Sequence, residues 1–134
     1  MESDTWRLPA LDIDDGPVRI EGNVDLVAAQ RVIYKVNGVP TSFSEMMAFP
    51  DSQLDTTYWF PWYNNASAAS MDQGFRIANE DASSHTIHIW AGTTLLENFT
   101  LSPGASARKA YAVANGPVRI VCTTCTSGGK ILAA

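Results

Sequence analysis

The pentapeptide Gly16-Pro17-Val18-Arg19-Ile20 recurs unchanged as Gly116-Pro117-Val118-Arg119-Ile120, a hundred positions on. A second echo follows each copy: Asp25-Leu26-Val27-Ala28-Ala29 after the first, Lys130-Ile131-Leu132-Ala133-Ala134 after the second. A chain that opens and closes near the same point of one pattern reads as one period of an array, plus the overlap that starts the next. Units of this kind bury surface against their neighbours and are built to be strung together. Segments 16–29 and 116–134 are therefore expected to be equivalent parts of one repeat unit, 16–134, with 1–15 as an extension or linker.

Strand patterns dominate the interior. Phe75-Arg76-Ile77, Thr86-Ile87-His88-Ile89 and Val118-Arg119-Ile120 alternate apolar with polar residues, the period of a half-buried strand. Turn residues separate them at Asn79–Ser84, Ala91-Gly92, Ser102-Pro103-Gly104 and Asn115-Gly116-Pro117. From Phe75 to Cys122 the cadence is that of a β-sandwich. Leu26–Val36 is a longer strand candidate with apolar residues on both faces. Ser42-Phe43-Ser44-Glu45-Met46-Met47 predicts a single helical turn ended by Pro50, within a long connection whose Phe43, Met46 and Met47 plug one end of the sheets. The expected fold is all-β: an antiparallel β-sandwich of about seven to nine strands with one long connection.

Composition narrows the partners. With 134 residues, 46% hydrophobic and 17% charged, the chain has the apolar content to fold as one domain. Its net charge of −5 and nine scattered basic residues speak against nucleic acid, which needs a clustered basic face. No apolar run approaches the roughly 18 residues of a membrane helix. The opening Met1-Glu2-Ser3-Asp4-Thr5-Trp6 lacks a basic segment and an apolar core, so the chain either stays inside the cell or is a mature or excised piece with an added Met1; the cysteines favour the second. At the other end the second copy stops at Ala134, which implies either a free sheet edge wanting a partner strand or a boundary that falls there.

Few residues suggest chemistry. Cys122 and Cys125 are the only cysteines; they follow a strand and enter a Thr- and Gly-rich turn. A disulfide stapling that loop is the expectation, with an oxidising compartment as its consequence. Zinc would require further ligands, and a redox pair would require a helix N-terminus at the first thiol. The loop is five residues longer than its counterpart Glu21-Gly22-Asn23-Val24, so a staple would limit its entropy. His85 and His88, three apart on a strand, face opposite ways. Asp12, Asp14 and Asp15 have the carboxylate density of a calcium turn but lack the distal glutamate; an acidic linker is the plainer reading. No serine sits in a nucleophile motif and no base is singled out, so the chain is read as no enzyme, with no cofactor.

The aromatic run Tyr58-Trp59-Phe60-Pro61-Trp62-Tyr63 is the most unusual local feature. Strand alternation sends Tyr58, Phe60 and Trp62 to one side and Trp59 and Tyr63 to the other, with Pro61 marking an edge strand. One set would fill a core. The other would either cover a contact between units or offer a platform for saccharides, since Trp and Tyr join a flat apolar face to a polar edge.

Together the segments Ser42–Met47, Thr57–Asn65, Phe75–Asn79 and the two Gly-Pro-Val-Arg-Ile strands resemble tandem repeats of large, secreted bacterial surface proteins. In those repeats a Ser-(Tyr/Phe)-Ser-Glu-Met-Met segment and a Phe-Pro-Trp-Tyr-Asn-Asn segment recur once per unit. Phe75 to Ile120 is also similar in layout to the Ig-like β-sandwich modules of exported bacterial proteins, so the expected sandwich is Ig-like. The resemblance covers roughly 16–134 and implies location and architecture, not a reaction. The resulting expectation is an extracellular or cell-surface structural unit that assembles, in tandem or by polymerisation through strand exchange or docking, into a fibre, sheath or stalk. Its partners would be copies of itself or adjacent repeats, with no nucleic acid and no membrane span. The contacts would come from Tyr58, Trp59, Trp62 and Tyr63 and from the overlap strands, through Val18, Ile20, Val118, Ile120, Ile131 and Leu132. The alternative is a carbohydrate- or partner-binding module using the block 58–63.

Overall fold

The computed structural model describes residues 17–66, 74–126 and 129–134. Among them it forms nine strands, all paired antiparallel, in three sheets. Chain contacts separate two compact units, a smaller one of Arg19–Leu54 and a larger one containing Asp55–Ala134. No helix among the described residues is long and apolar enough to cross a membrane.

The smaller unit is a hairpin of β1 (Ala29–Val36) and β2 (Val39–Met47). Asn37 and Gly38 join them with φ of 51° and 79°. Both lie in the left-handed region, where the twist of a two-residue turn matches that of the strands, and Asn-Gly is the favoured pair for it. The register sets Ile33 opposite Phe43 and Arg31 opposite Glu45, with a shift at Tyr34/Lys35 where Pro40 interrupts the ladder. Arg31 forms an ion pair with Glu45 and lies 5.4 Å from the Phe43 ring centroid.

This hairpin corrects the expectation for Ser42–Met47. The segment is strand, because the Asn37-Gly38 turn folds it back onto β1 and its serines alternate with Phe43 and Glu45. The helical turn falls later, as a 3-10 turn at Asp51–Gln53 behind Pro50. Phe43, Met46 and Met47 are exposed and plug nothing.

The larger unit holds β3 (Thr57–Tyr63), β4 (Phe75–Asn79), β5 (His85–Ala91), β6 (Thr94–Leu101), β7 (Ser106–Lys109), β8 (Gly116–Cys122) and β9 (Ile131–Ala133). One sheet runs β3-β8-β5-β6 and the other β7-β4-β9. The core draws on both. Ile87, Ile89, Val118 and Ile120 come from the first sheet, Phe75, Ile77, Ile131 and Ala133 from the second, in one buried cluster. Strand β8 is flanked on both sides and its burial alternates, with Val118, Ile120 and Cys122 inward.

Three polar groups tie this body together. The Tyr58 hydroxyl on β3 donates to the Ile131 carbonyl on β9 at 2.7 Å and accepts from the Asp55 amide at 3.0 Å. Burial raises its pKa. Asn79, fully buried, donates from Nδ2 to the carbonyls of Ser83 (2.8 Å) and Leu101 (3.0 Å), while its Oδ1 accepts from the Asp81 amide (2.9 Å). Glu97 on β6 accepts from Lys109 Nζ on β7 (2.5 Å) and from the Tyr111 hydroxyl (2.7 Å), joining an edge strand of each sheet. Those two bonds, the lysine's first, hold the Glu97 carboxyl below its ordinary range. Burial foremost, and then the bond to Glu97, push the Tyr111 phenol up.

Candidate assembly surface

Strand β3 lies at the edge of the four-stranded sheet, as Pro61 implies, since a proline nitrogen cannot donate to a ladder. Phe60 pairs with Val118 and Tyr63 with Gly116, three positions on β3 against two on β8. This bulge at Pro61-Trp62 resets the alternation. Tyr63 consequently turns inward beside Phe60, and Trp62 turns out, the reverse of the expected sides. Tyr63 is 3% exposed, its ring stacks on Phe75 at 4.6 Å, and its hydroxyl accepts from the Tyr111 amide. Tyr58 is half-buried and its hydroxyl is engaged within the body. Of the four aromatic contact candidates, Trp59 and Trp62 remain on the surface, 63% and 50% exposed.

The outward row on this sheet crosses three strands. Trp59 on β3 is the register partner of Arg119 on β8, which is also the partner of Trp90 on β5. The guanidinium lies 5.3 Å from one indole and 5.6 Å from the other, a cation between two ring faces. Its Nε is buried without a hydrogen-bond partner. His88, tilted against Trp90 at 6.4 Å, continues this face, and the Trp62 indole nitrogen donates to Asn115 Oδ1 at 3.4 Å. The row offers flat apolar rings around one fixed positive charge.

The overlap strands divide sharply. Val118, Ile120 and Ile131 are fully buried in the body's own core, with Leu132 half-buried, so they present no free contact surface. Val18 and Ile20 are 65% and 62% exposed.

Cys122 and Cys125 form a disulfide with Cα atoms 5.5 Å apart. His85 sits beside it. Burial alternates along β5 with His85 inward and His88 on the other side, as their spacing implies. His85 Nε2 bonds Asp81 Oδ2 at 3.0 Å and Nδ1 contacts Thr124 Oγ1 at 3.3 Å. The bond to His85 is the main cause of a lowered Asp81 pKa. His85 and the two sulfurs lie within 4.8 Å of one another, a ligand-like trio. With the sulfurs bonded to each other, neither is a thiolate able to bind a metal. Asp12, Asp14 and Asp15, the calcium-turn candidates, lie outside the described residues.

Sequence reasoning missed the Arg119 stack and the neighbour of the disulfide. Both follow from the order β3-β8-β5, which places Ile87 against Cys122 and Trp90 against Arg119. The outward alternation of Arg119 was visible; the identity of its neighbours required the pairing. No protein-family model, curated protein or solved structure matches the chain.

Proposed function

We propose that this chain is an extracellular structural repeat unit whose larger body is an Ig-like β-sandwich, and that it assembles with further units into a surface fibre, sheath or stalk. The observation that carries this reading is the hairpin β1–β2. Its two strands expose Val32, Ile33, Tyr34, Phe43 and Met47, apolar side chains on both faces of a two-stranded ribbon. Such a ribbon is at best marginally stable in water by itself, and exposed apolar surface of this kind marks a contact. Trp59 and Trp62 add a second apolar surface. The repeated strands supply a neighbour of matching pattern, and the disulfide suits an oxidising compartment.

Negative-stain electron microscopy and light scattering of the unreduced chain test the proposal. Regular polymers weakened by Trp59→Ala with Trp62→Ala, in a variant that keeps its unfolding midpoint, support it. Uniform monomers at every concentration refute polymerisation of the single unit.

The Trp59–Arg119–Trp90 row favours a second reading, a saccharide-binding module, because rings flanking a fixed charge suit a polyhydroxyl or acidic sugar. Saccharide-dependent quenching of tryptophan fluorescence, abolished by Trp59→Ala, supports this reading; no quenching across a panel of neutral and acidic sugars removes it.

A further inference from the structure

The same tetrapeptide, Pro-Val-Arg-Ile, occupies two opposite environments. In Gly116–Ile120, Val118 and Ile120 are fully buried, and Arg119 lies between Trp59 and Trp90. The strand is paired on both sides, by Phe60↔Val118 and Tyr58↔Ile120 with β3 and by Ala91↔Val118 and Ile89↔Ile120 with β5. In Gly16–Ile20, residues 17–20 belong to no strand and Val18 and Ile20 are exposed. The second echo divides likewise. Ile131 and Ala133 are buried against β4, whereas Leu26 is exposed and Ala28 half-buried.

We infer that Pro17–Ala28 supplies the closing strand pair of a second two-sheet body, and that its occupant is a segment of the Asp55–Asn115 kind from the preceding repeat of an array. The inference rests on the repeat reading above. Identical side chains in identical alternation fit one slot, so the register carries over. Val18 and Ile20 enter that core, and Arg19 lies between the counterparts of Trp59 and Trp90. Leu26 and Ala28 pair with the counterpart of β4 as Ile131 and Ala133 do. Exchange of the strand with another copy of this chain is disfavoured by a count of pairings. The slot between β3 and β5 is already filled by β8, so a swap replaces one set of contacts by the same set. A body supplied upstream adds a whole set.

Two further features follow. The turn Glu21–Val24 replaces Val121–Gly129, with Gly22 in the place of the buried Cys122, so the upstream body closes without the disulfide. Leu26–Ala28, which is in no strand in this structure, runs directly into β1 at Ala29, so on this inference the exposed hairpin is the connector between two bodies.

The test uses the full chain with a copy of residues 55–115 fused ahead of Gly16. The expected result is a second set of dispersed amide signals and a second urea transition. Val18→Asp with Ile20→Asp should abolish that transition, spare the first, and leave the unfused chain's midpoint unchanged. A companion fusion replaces 16–29 by a copy of 116–134 and so carries a complete duplicate. If the companion shows the second transition and the first fusion leaves its added segment disordered, the inference is overturned. It is equally overturned if the double substitution leaves the second transition intact, or if the unfused chain proves to be a strand-exchanged dimer that this substitution dissociates. Polymers seen by microscopy together with a disordered added segment would leave the structural reading standing and remove this one.

Discussion

Truncating Ile120 and Ile20 to Ala makes the same chemical change in the same local sequence, Gly-Pro-Val-Arg-Ile, so effects on the unfolded chain nearly cancel between the two variants. Ile120 has no exposed surface and meets Tyr58 and Ile89 across its two ladders. Removing a buried isoleucine down to its Cβ loses the transfer free energy of the missing carbons and leaves a cavity, together about 3 kcal/mol. Ile20 is 62% exposed, and substitutions at such sites fall within about 0.5 kcal/mol. At roughly 0.1 kcal/mol per residue, the stability of the larger body is on the order of 8 kcal/mol, so Ile120→Ala stays folded but loses a large share of its margin. With a urea slope of about 1 kcal/mol/M, the midpoint should fall by about 3 M for Ile120→Ala and by less than about 0.5 M for Ile20→Ala. Tryptophan fluorescence reads this well, because Trp59, Trp62 and Trp90 all belong to the larger body. Equal losses at the two positions would refute the assignment of the second copy, and not the first, to a closed core.

Three further outcomes are expected. Asn79→Ala strands the carbonyls of Ser83 and Leu101 and the amide of Asp81, and at about 1 kcal/mol per lost bond the urea midpoint should report a destabilisation of about 3 kcal/mol. Because Lys109 and Tyr111 depress the Glu97 pKa, the stability that this carboxylate contributes is fully present above the ordinary glutamate value of 4.5 and is lost as pH falls through its lower folded value; Glu97→Gln should start less stable at neutral pH and decline less steeply below pH 4.5, as read by urea midpoints across that range. Reducing the Cys122–Cys125 bond releases a short closed loop, so the reduced chain should lose about 2 kcal/mol by loop entropy, measured as a midpoint shift between oxidised and thiol-treated protein.

The all-β class was legible because strands leave a period-two trace. Phe75–Ile77, Thr86–Ile89 and Val118–Ile120 all lie in strands, and within each of these stretches the buried positions are the apolar ones. The errors came where backbone geometry overrides that period. A bulge at Pro61-Trp62 exchanged the fates of Trp62 and Tyr63, and alternation alone cannot show an extra residue. At Ser42–Met47 the local spacing fits a helical turn, but Asn37-Gly38 four residues upstream dictates a hairpin, and turn chemistry prevails over weak propensity there. The disulfide could be read from two cysteines in one turn. The partners of Arg119 and His85 could not, because they depend on which strands become neighbours.

The two copies also separate what a strand in this position requires from what it tolerates. They agree at Gly-Pro-Val-Arg-Ile and in the apolar spacing of Leu26 and Ala28 with Ile131 and Ala133, which is where β8 and β9 face the core and where Arg119 meets two indoles. They diverge at 21–24 and 121–129, a stretch that starts on the last two residues of β8 and continues past the end of that strand. A substitution in the first set changes a buried contact with two neighbouring strands at once. A change of length in the second alters only a connection, whose entropic cost grows slowly with length. The disulfide stands in that variable turn, between a strand end and a loop. It therefore stabilises the closure of this body without setting its register, and the pairing of β8 with β3 and β5 should survive reduction even as stability falls.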